Sequence, residues 1–335
     1  MEKTRIRFLD LAKLTAIFLV VWGHVILCSG SESANTRSIH DWIYTFHMPL
    51  FMLLSGFFVA SSLQYGFVSV LRKKFAQLLV PCLSCTLLCI LYIALFRELT
   101  FNAVRTELIG NSWFLKTLFA NYVLFYVLKQ TRLQDGWLFV LSYVAILAIP
   151  HSYSLQFSWL YPFFWMGYFM KCKFQWLMDN MKVLALVSIA AYSTFYALCH
   201  KDMVTMLGIL PTMASITSTP LLLLSKFVMA AAGSLMCIGL CYYVEKYAPH
   251  GIVAKMACCG KYTLGVYIIQ TIFIIEIYAD VAGTITAWGQ GHEVWHTLWV
   301  SVFMSILCLA TIRFFARYKW VDRLLFGGQY YTDKA

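Results

Sequence analysis

An all-α, polytopic membrane protein of about ten transmembrane helices, with both termini in the cytoplasm, is the fold that this sequence predicts. Three observations carry that expectation. Of the 335 residues, 61% are hydrophobic and only 12% charged, at a mean hydropathy of +0.72, values that exclude an ordinary water-soluble globular domain. The apolar residues gather in runs close to the ~17–25 that cross a bilayer core as one helix. Basic residues stand at alternate ends of those runs, the asymmetry that orients a membrane chain.

Leu11 to Leu27 is the first run, entered through Lys3, Arg5 and Arg7, and Ile43 to Gln64 is the second. Arg72, Lys73 and Lys74 precede the third, Leu78 to Phe96, and Lys129 closes the fourth, Trp113 to Leu128. Trp137 to Ile149 and Phe157 to Met170, the fifth and sixth, are short; Lys171 follows the latter. Val183 to Cys199 begins after Lys182, Pro220 to Val244 ends before Lys246, Tyr262 to Ala279 follows Lys261, and Thr297 to Ala316 ends at Arg317. With the N-terminus inside, 20 Lys and Arg fall on inner segments and 4 on outer ones, leaving Lys116 and Lys226 within spans. The net charge of +11 is thus a topology signal rather than a nucleic-acid footprint, and it puts both termini in the cytoplasm of a multi-pass inner-membrane protein.

The first run is read as a retained helix, because Lys13, Trp22 and His24 make it a poor secretory signal. Eleven cysteines lie almost entirely within spans, and the Cys82 and Cys85 pair has no second pair at ligand spacing, so they are assigned packing roles. No fixed-period repeat and no Pro- or Ser-rich linker divides the chain, which reads as one membrane domain over residues 1–335. Two outer stretches are long, His200 to Thr219 and Gly283 to His296. Nothing outside the spans is large enough to be an appended soluble enzyme, so any chemistry belongs to the membrane domain.

Lys13 and His24 stand eleven residues apart in the first run. Eleven steps of about 100° make three turns plus roughly 20°, so a helix sets both side chains on one face, about 16 Å apart. Ionisable groups inside a membrane are costly and face a cavity or a partner. A base, His24, would then lie above a cation at the inner mouth; a snorkelling lysine with an unrelated polar histidine is the plain alternative. His24 and His47 each lie about five residues inside the outer end of their spans, roughly 7 Å deep, and Glu276 is a few residues from the outer end of the ninth. Two imidazoles and a carboxylate in one layer could take a proton from a hydroxyl nucleophile. Equally, His47 could bond a carbonyl freed by Pro49, and Glu276 could pair with Lys116.

On the inner side Arg5, Arg7 and Lys13, with Arg72, Lys73 and Lys74, form a basic patch that could hold the phosphates of a soluble cofactor. His292, Glu293 and His296 spell HExxH, the zinc-protease pattern. A third ligand is missing: the only downstream acids are Asp322 and Asp333, and His296 to Asp322 would be about 39 Å along a helix. No metal is expected.

Four segments resemble the membrane-bound acyltransferase 3 family of sugar and polysaccharide O-acyltransferases. They are RFLDLAKLTAIFLVVWGHV (Arg7 to Val25), whose Lys13 and His24 match a basic residue, ten positions and a histidine; IYTFHMPLFMLLSGFF (Ile43 to Phe58), with His47, Pro49, Ser55 and Gly56; Trp113, Phe114 and Leu115; and GKYTLGVYIIQ (Gly260 to Gln270). Two departures stand out. Lys74 and Gln77 replace a two-arginine segment, and Gln270 stands where many members have histidine, so that position is not expected to carry a proton. The resemblance implies acetyl-CoA as donor on the cytoplasmic side and a sugar or glycan hydroxyl as acceptor. Lys13, Arg7, Arg72, Lys73 and Lys74 would bind the donor, Trp113, Lys116 and Ser55 the acceptor, and His24, His47 and Glu276 would be catalytic. The competing reading is a transporter or carrier of a lipid-linked or small polar substrate; such proteins often show inverted repeats, and the sequence shows none.

Overall fold

The computed structural model describes residues 6–30, 33–149, 155–286 and 291–331, and every regular element among them is helical. In chain order these are α1 (Arg7–Cys28), α2 (Ala34–Val59), α3 (Phe67–Lys74), α4 (Val80–Phe96), α5 (Phe101–Gly110), α6 (Trp113–Leu128), α7 (Asp135–Ala148), α8 (Phe157–Cys172) and α9 (Phe174–Asp179). There follow α10 (Met181–Cys199), α11 (Met203–Gly208), α12 (Met213–Ser218), α13 (Pro220–Tyr247), α14 (His250–Cys259), α15 (Thr263–Gln270), α16 (Ala279–Thr286), α17 (Glu293–Phe315) and α18 (Lys319–Phe326). Two π-helical stretches, Phe75–Leu79 and Thr271–Tyr278, join α3 to α4 and α15 to α16.

Local chemistry sets several ends. Thr100 caps α5 by accepting from the Ala103 N–H, and Thr212 and Ser215 cap α12 reciprocally. Pro220 sits in the first turn of α13, where no intrahelical N–H is needed. Gly327, at φ +66°, ends α18 in the left-handed conformation that glycine adopts without penalty.

All ten expected runs are helical, and among the described residues seven helical segments are long and apolar enough to cross a membrane by length and composition. α6, α7 and α8 have 16, 14 and 16 residues, less than the ~20 that a full crossing takes. Several helices outrun their apolar cores. α2 begins at Ala34, nine residues before Ile43, so His47 is not near its start; the ninth run continues to Thr286, so Ala279 is not its end. Hydropathy marks what must be buried, whereas a helix propagates wherever each added residue closes one more hydrogen bond. For the same reason the stretch after His200 is folded into short helices, and α5 fills the connection between the third and fourth runs.

Packing resolves the chain into two compact units, each built from three stretches. The first comprises the stretch ending at Ala16, Asp41–Gln64 and Leu124–Lys261. In it α10 lies along α13, where Gly239 meets the Ala185 side chain. The backbones of α2 and α8 touch, since a Cβ on Gly56 would collide with the Phe164 carbonyl and one on Gly167 with that of Leu53. Phe125, Phe164, Trp165 and Tyr168 form an aromatic cluster. Buried Lys226 donates to the Leu207 and Ile209 carbonyls at 2.9 and 2.7 Å, pinning the end of α11 to α13.

The second unit comprises Ile17–His40, Tyr65–Val123 and the stretch from Tyr262 onward. α15 packs on α17 and α18 on α4. The terminal segment is locked in: Gly327 abuts the backbone of Gln77, Asp322 accepts from the Tyr330 N–H at 3.0 Å, and the Tyr330 hydroxyl accepts from the Gly265 N–H at 3.1 Å.

Candidate active site

α1 is unbroken from Arg7 to Cys28, as the spacing of Lys13 and His24 requires. In the second unit His24 is half-buried, and its Nδ1 lies 2.8 Å from Gln270 Oε1. The partner expected for an oriented base was a carboxylate, Glu276; the structure supplies the amide of Gln270 instead. Gln270 is fully buried and its Nε2 reaches the Tyr267 carbonyl and Thr271 Oγ1, each at 3.2 Å. Trp22 Nε1 donates to Thr297 Oγ1 at 3.3 Å, which fixes the rotation of α1 against α17 and so aims His24 at Gln270.

Glu276 has a different neighbourhood. It is 2% exposed, and its Oε2 accepts from Arg97 Nη1 at 2.8 Å while Arg97 Nη2 donates to its backbone carbonyl at 2.9 Å. Arg97 also bridges to Asp280, which accepts from the Tyr92 hydroxyl. The expected alternative pairing with Lys116 is therefore corrected. Lys116 Nζ donates to the carbonyls of Leu108, Ile109 and Asn111 at 2.7, 3.1 and 2.8 Å, closing the C-terminus of α5 where orphan carbonyls attract a cation. Beside it Asn111 bonds Glu107 and Ser112. Ser112 takes φ +51°, a strained value for a residue with a Cβ, and half-buried Trp113 follows as the first residue of α6.

Cys89, Glu107 and Glu276 bring ligand atoms within 4.8 Å of one another, a grouping that sequence spacing gave no sign of. Its Glu276 is already held by Arg97. At the HExxH segment, Glu293 turns to the Gly291 N–H at 3.1 Å and His292 is exposed; Asp322 is engaged with Tyr330, and Asp333 lies outside the described residues.

Arg72 and Lys73 are exposed in the last turn of α3, and Lys74 covers the Tyr122 ring at 4.2 Å. None of the three forms an ion pair among the described residues, so they suit a polyphosphate. In the first unit exposed Arg7 opens α1, while Lys13 Nζ lies 3.2 Å from Asp10 Oδ1 and 4.0 Å from the Phe58 ring centroid; Arg5 lies outside the described residues. Buried His47 donates from Nδ1 to the Ile43 carbonyl at 2.8 Å, not to that of Thr45, the carbonyl Pro49 deprives of a partner. Ser55 Oγ donates to the Phe51 carbonyl at 2.8 Å.

Both π stretches adjoin candidate groups: Phe75–Leu79 follows the basic turn of α3, and Thr271–Tyr278 follows Gln270 and carries Glu276. Such stretches are rare and recur at functional sites. Sequence reasoning noted Gln270 only as a position not expected to carry a proton, and it missed Arg97 and Asp10. An uncharged amide inside a span, and carboxylates four apart at Glu276 and Asp280 with one arginine just past the third span, were the available signals.

A family model described as an acyltransferase domain matches residues 6–317. Nodulation protein NolL of Mesorhizobium japonicum is 29% identical over 205 residues, 56% of this chain and 54% of that protein. Nodulation protein NolL of Sinorhizobium fredii is 30% identical over 173 residues, 48% and 47% of the two. The chain thus spans about half the length of these curated relatives. No solved structure matches it.

Proposed function

The chain belongs to this acyltransferase 3 family, and on that footing we propose that it is an integral membrane O-acyltransferase moving an acetyl group from acetyl-CoA to a hydroxyl of a cell-surface sugar or polysaccharide precursor. The observation that carries the reading is His24, half-buried within an apolar helix with one ring nitrogen bonded to Gln270. In the proposed step His24 takes the acceptor hydroxyl proton as the oxygen attacks the thioester carbonyl. The carbon–sulfur bond breaks, an ester forms, and the thiolate of coenzyme A recovers that proton from His24. Such a base contributes roughly a hundred- to ten-thousandfold.

Arg72, Lys73 and Lys74 are the proposed phosphate contacts of the donor. Arg7 and Lys13 serve the same task, with a phosphate taking over from Asp10 as partner of Lys13. Trp113 offers an aromatic face to a sugar ring, Lys116 supports the turn that presents it, and Ser55 is a further acceptor contact. His47, its Nδ1 tied to a carbonyl, is the second candidate base; Glu276 contributes by holding Arg97. The topology proposed is that of an inner-membrane protein with both termini in the cytoplasm.

Transfer of labelled acetyl from acetyl-CoA to surface glycan, in membranes carrying the native chain or His24→Ala, tests the reading. Loss of about two to four orders of magnitude with donor binding retained is the expected result. Native rates in a folded His24→Ala protein would overturn the base assignment, and a native chain that binds a polar substrate but never consumes acetyl-CoA would restore the transporter reading.

A further inference from the structure

We propose that Gln270 is the positioning residue of His24, its amide holding the imidazole in the tautomer protonated at Nδ1 and leaving Nε2 as the basic nitrogen. The inference rests on the reading of His24 as general base and adds which atom accepts the proton and what makes it so.

A backbone carbonyl can only accept a hydrogen bond. Thr271 spends its single hydroxyl proton on the Tyr267 carbonyl at 3.0 Å, so towards Gln270 its oxygen is an acceptor as well. Gln270 Nε2 faces both of these oxygens at 3.2 Å. The NH2 group must therefore point at them, and the amide oxygen must point at His24, 2.8 Å away. Turning the amide over would set its oxygen against the Tyr267 carbonyl, acceptor against acceptor, in place of the N–H that carbonyl now receives from it. Gln270 is fully buried, so no solvent softens the choice.

A neutral imidazole carries one N–H, and its place is set by the hydrogen bond the ring makes. Facing an acceptor at 2.8 Å, that N–H is at Nδ1. The lone pair is then at Nε2, on the side of the ring away from Gln270. An amide stays neutral throughout the cycle, so it orients the ring before and after proton transfer without trapping the imidazolium, which a carboxylate at this place would stabilise. The α15-to-π junction, which begins at Thr271, brings two successive side chains, Gln270 and Thr271, onto the one Tyr267 carbonyl.

The test uses the full chain in lipid nanodiscs with 15N-labelled histidine, His24 being assigned by the signal missing from His24→Gln. Gln270→Met keeps length and apolarity but removes the acceptor. Gln270→Glu keeps an acceptor towards Nδ1 and, protonated, a donor towards Tyr267. The expected spectrum of the native protein shows Nδ1 as N–H and Nε2 unprotonated. Gln270→Met should lose that preference and at least tenfold in kcat with little change in the KM of acetyl-CoA, and Gln270→Glu should recover the N–H at Nδ1 while moving the kcat–pH profile upward, as a carboxylate that stabilises the imidazolium requires. A native His24 protonated at Nε2, or a folded Gln270→Met protein with native kcat and native tautomer, overturns the proposal. A correct tautomer together with full activity in His24→Ala would instead refute the general-base reading while leaving the amide's role in place, so the two failures are distinguishable.

Discussion

Replacing Arg97 by methionine should destabilise the second unit by several kilocalories, almost all of it through Glu276. Arg97 makes two kinds of contact. Its bonds to Asp280, at 2.9 to 3.2 Å, reach a side chain that is 40% exposed, where an ion pair is worth at most about 1 kcal/mol. Its bonds to Glu276 reach a carboxylate only 2% exposed. Methionine keeps the apolar stem and strips the charge, leaving that carboxylate buried without its cation, which typically costs about 3–5 kcal/mol. At about 2–4 °C per kcal/mol for a domain of this size class, the apparent melting temperature of the purified protein should fall by roughly 6–20 °C, readable by intrinsic tryptophan fluorescence in detergent at a fixed scan rate. The double variant Arg97→Met, Glu276→Gln removes the orphaned charge and should regain most of the loss. A single variant within about 2 °C of native, or a double variant no better than the single, would refute the view that burial of Glu276 sets the energy of this cluster.

Other perturbations follow from the same geometry. Gly56→Ala should fail to accumulate or melt well below native, because its Cβ would meet the Phe164 carbonyl and backbone cannot step aside as a side chain can; overpacking typically costs about 1–3 kcal/mol or more, and expression with thermal melting reads it. Arg72→Gln with Lys73→Gln should raise the dissociation constant of acetyl-CoA several-fold and flatten its salt dependence while leaving kcat close to native, as expected of groups that hold phosphates; calorimetry over a salt series checks it. A cysteine placed at Ser33 should be labelled by an impermeant maleimide from outside, whereas tags at both termini should react only after permeabilisation. His292→Ala and His296→Ala should each keep most of the transfer rate, since Glu293 is turned to the Gly291 N–H rather than to a metal pair; the glycan assay decides.

Sequence alone determined the class of this protein, since runs of apolar residues at that density admit only membrane helices. It also placed Lys13 and His24 on one helix, because eleven residues return a helix to nearly the same face, and the unbroken α1 bears that out. The four family-like segments identified the acyltransferase 3 family that the match over residues 6–317 shows. What sequence could not determine is everything that depends on which helices meet. The partner of His24 is Gln270, 246 positions away, and that of Glu276 is Arg97, 179 away; periodicity within one helix names a face but not what lies against it. Helix ends were misplaced at Ala34 and Thr286 because hydropathy reports burial, not hydrogen bonding. The Gln270 amide is oriented by its near neighbours Tyr267 and Thr271, but that it faces His24 came only with tertiary structure.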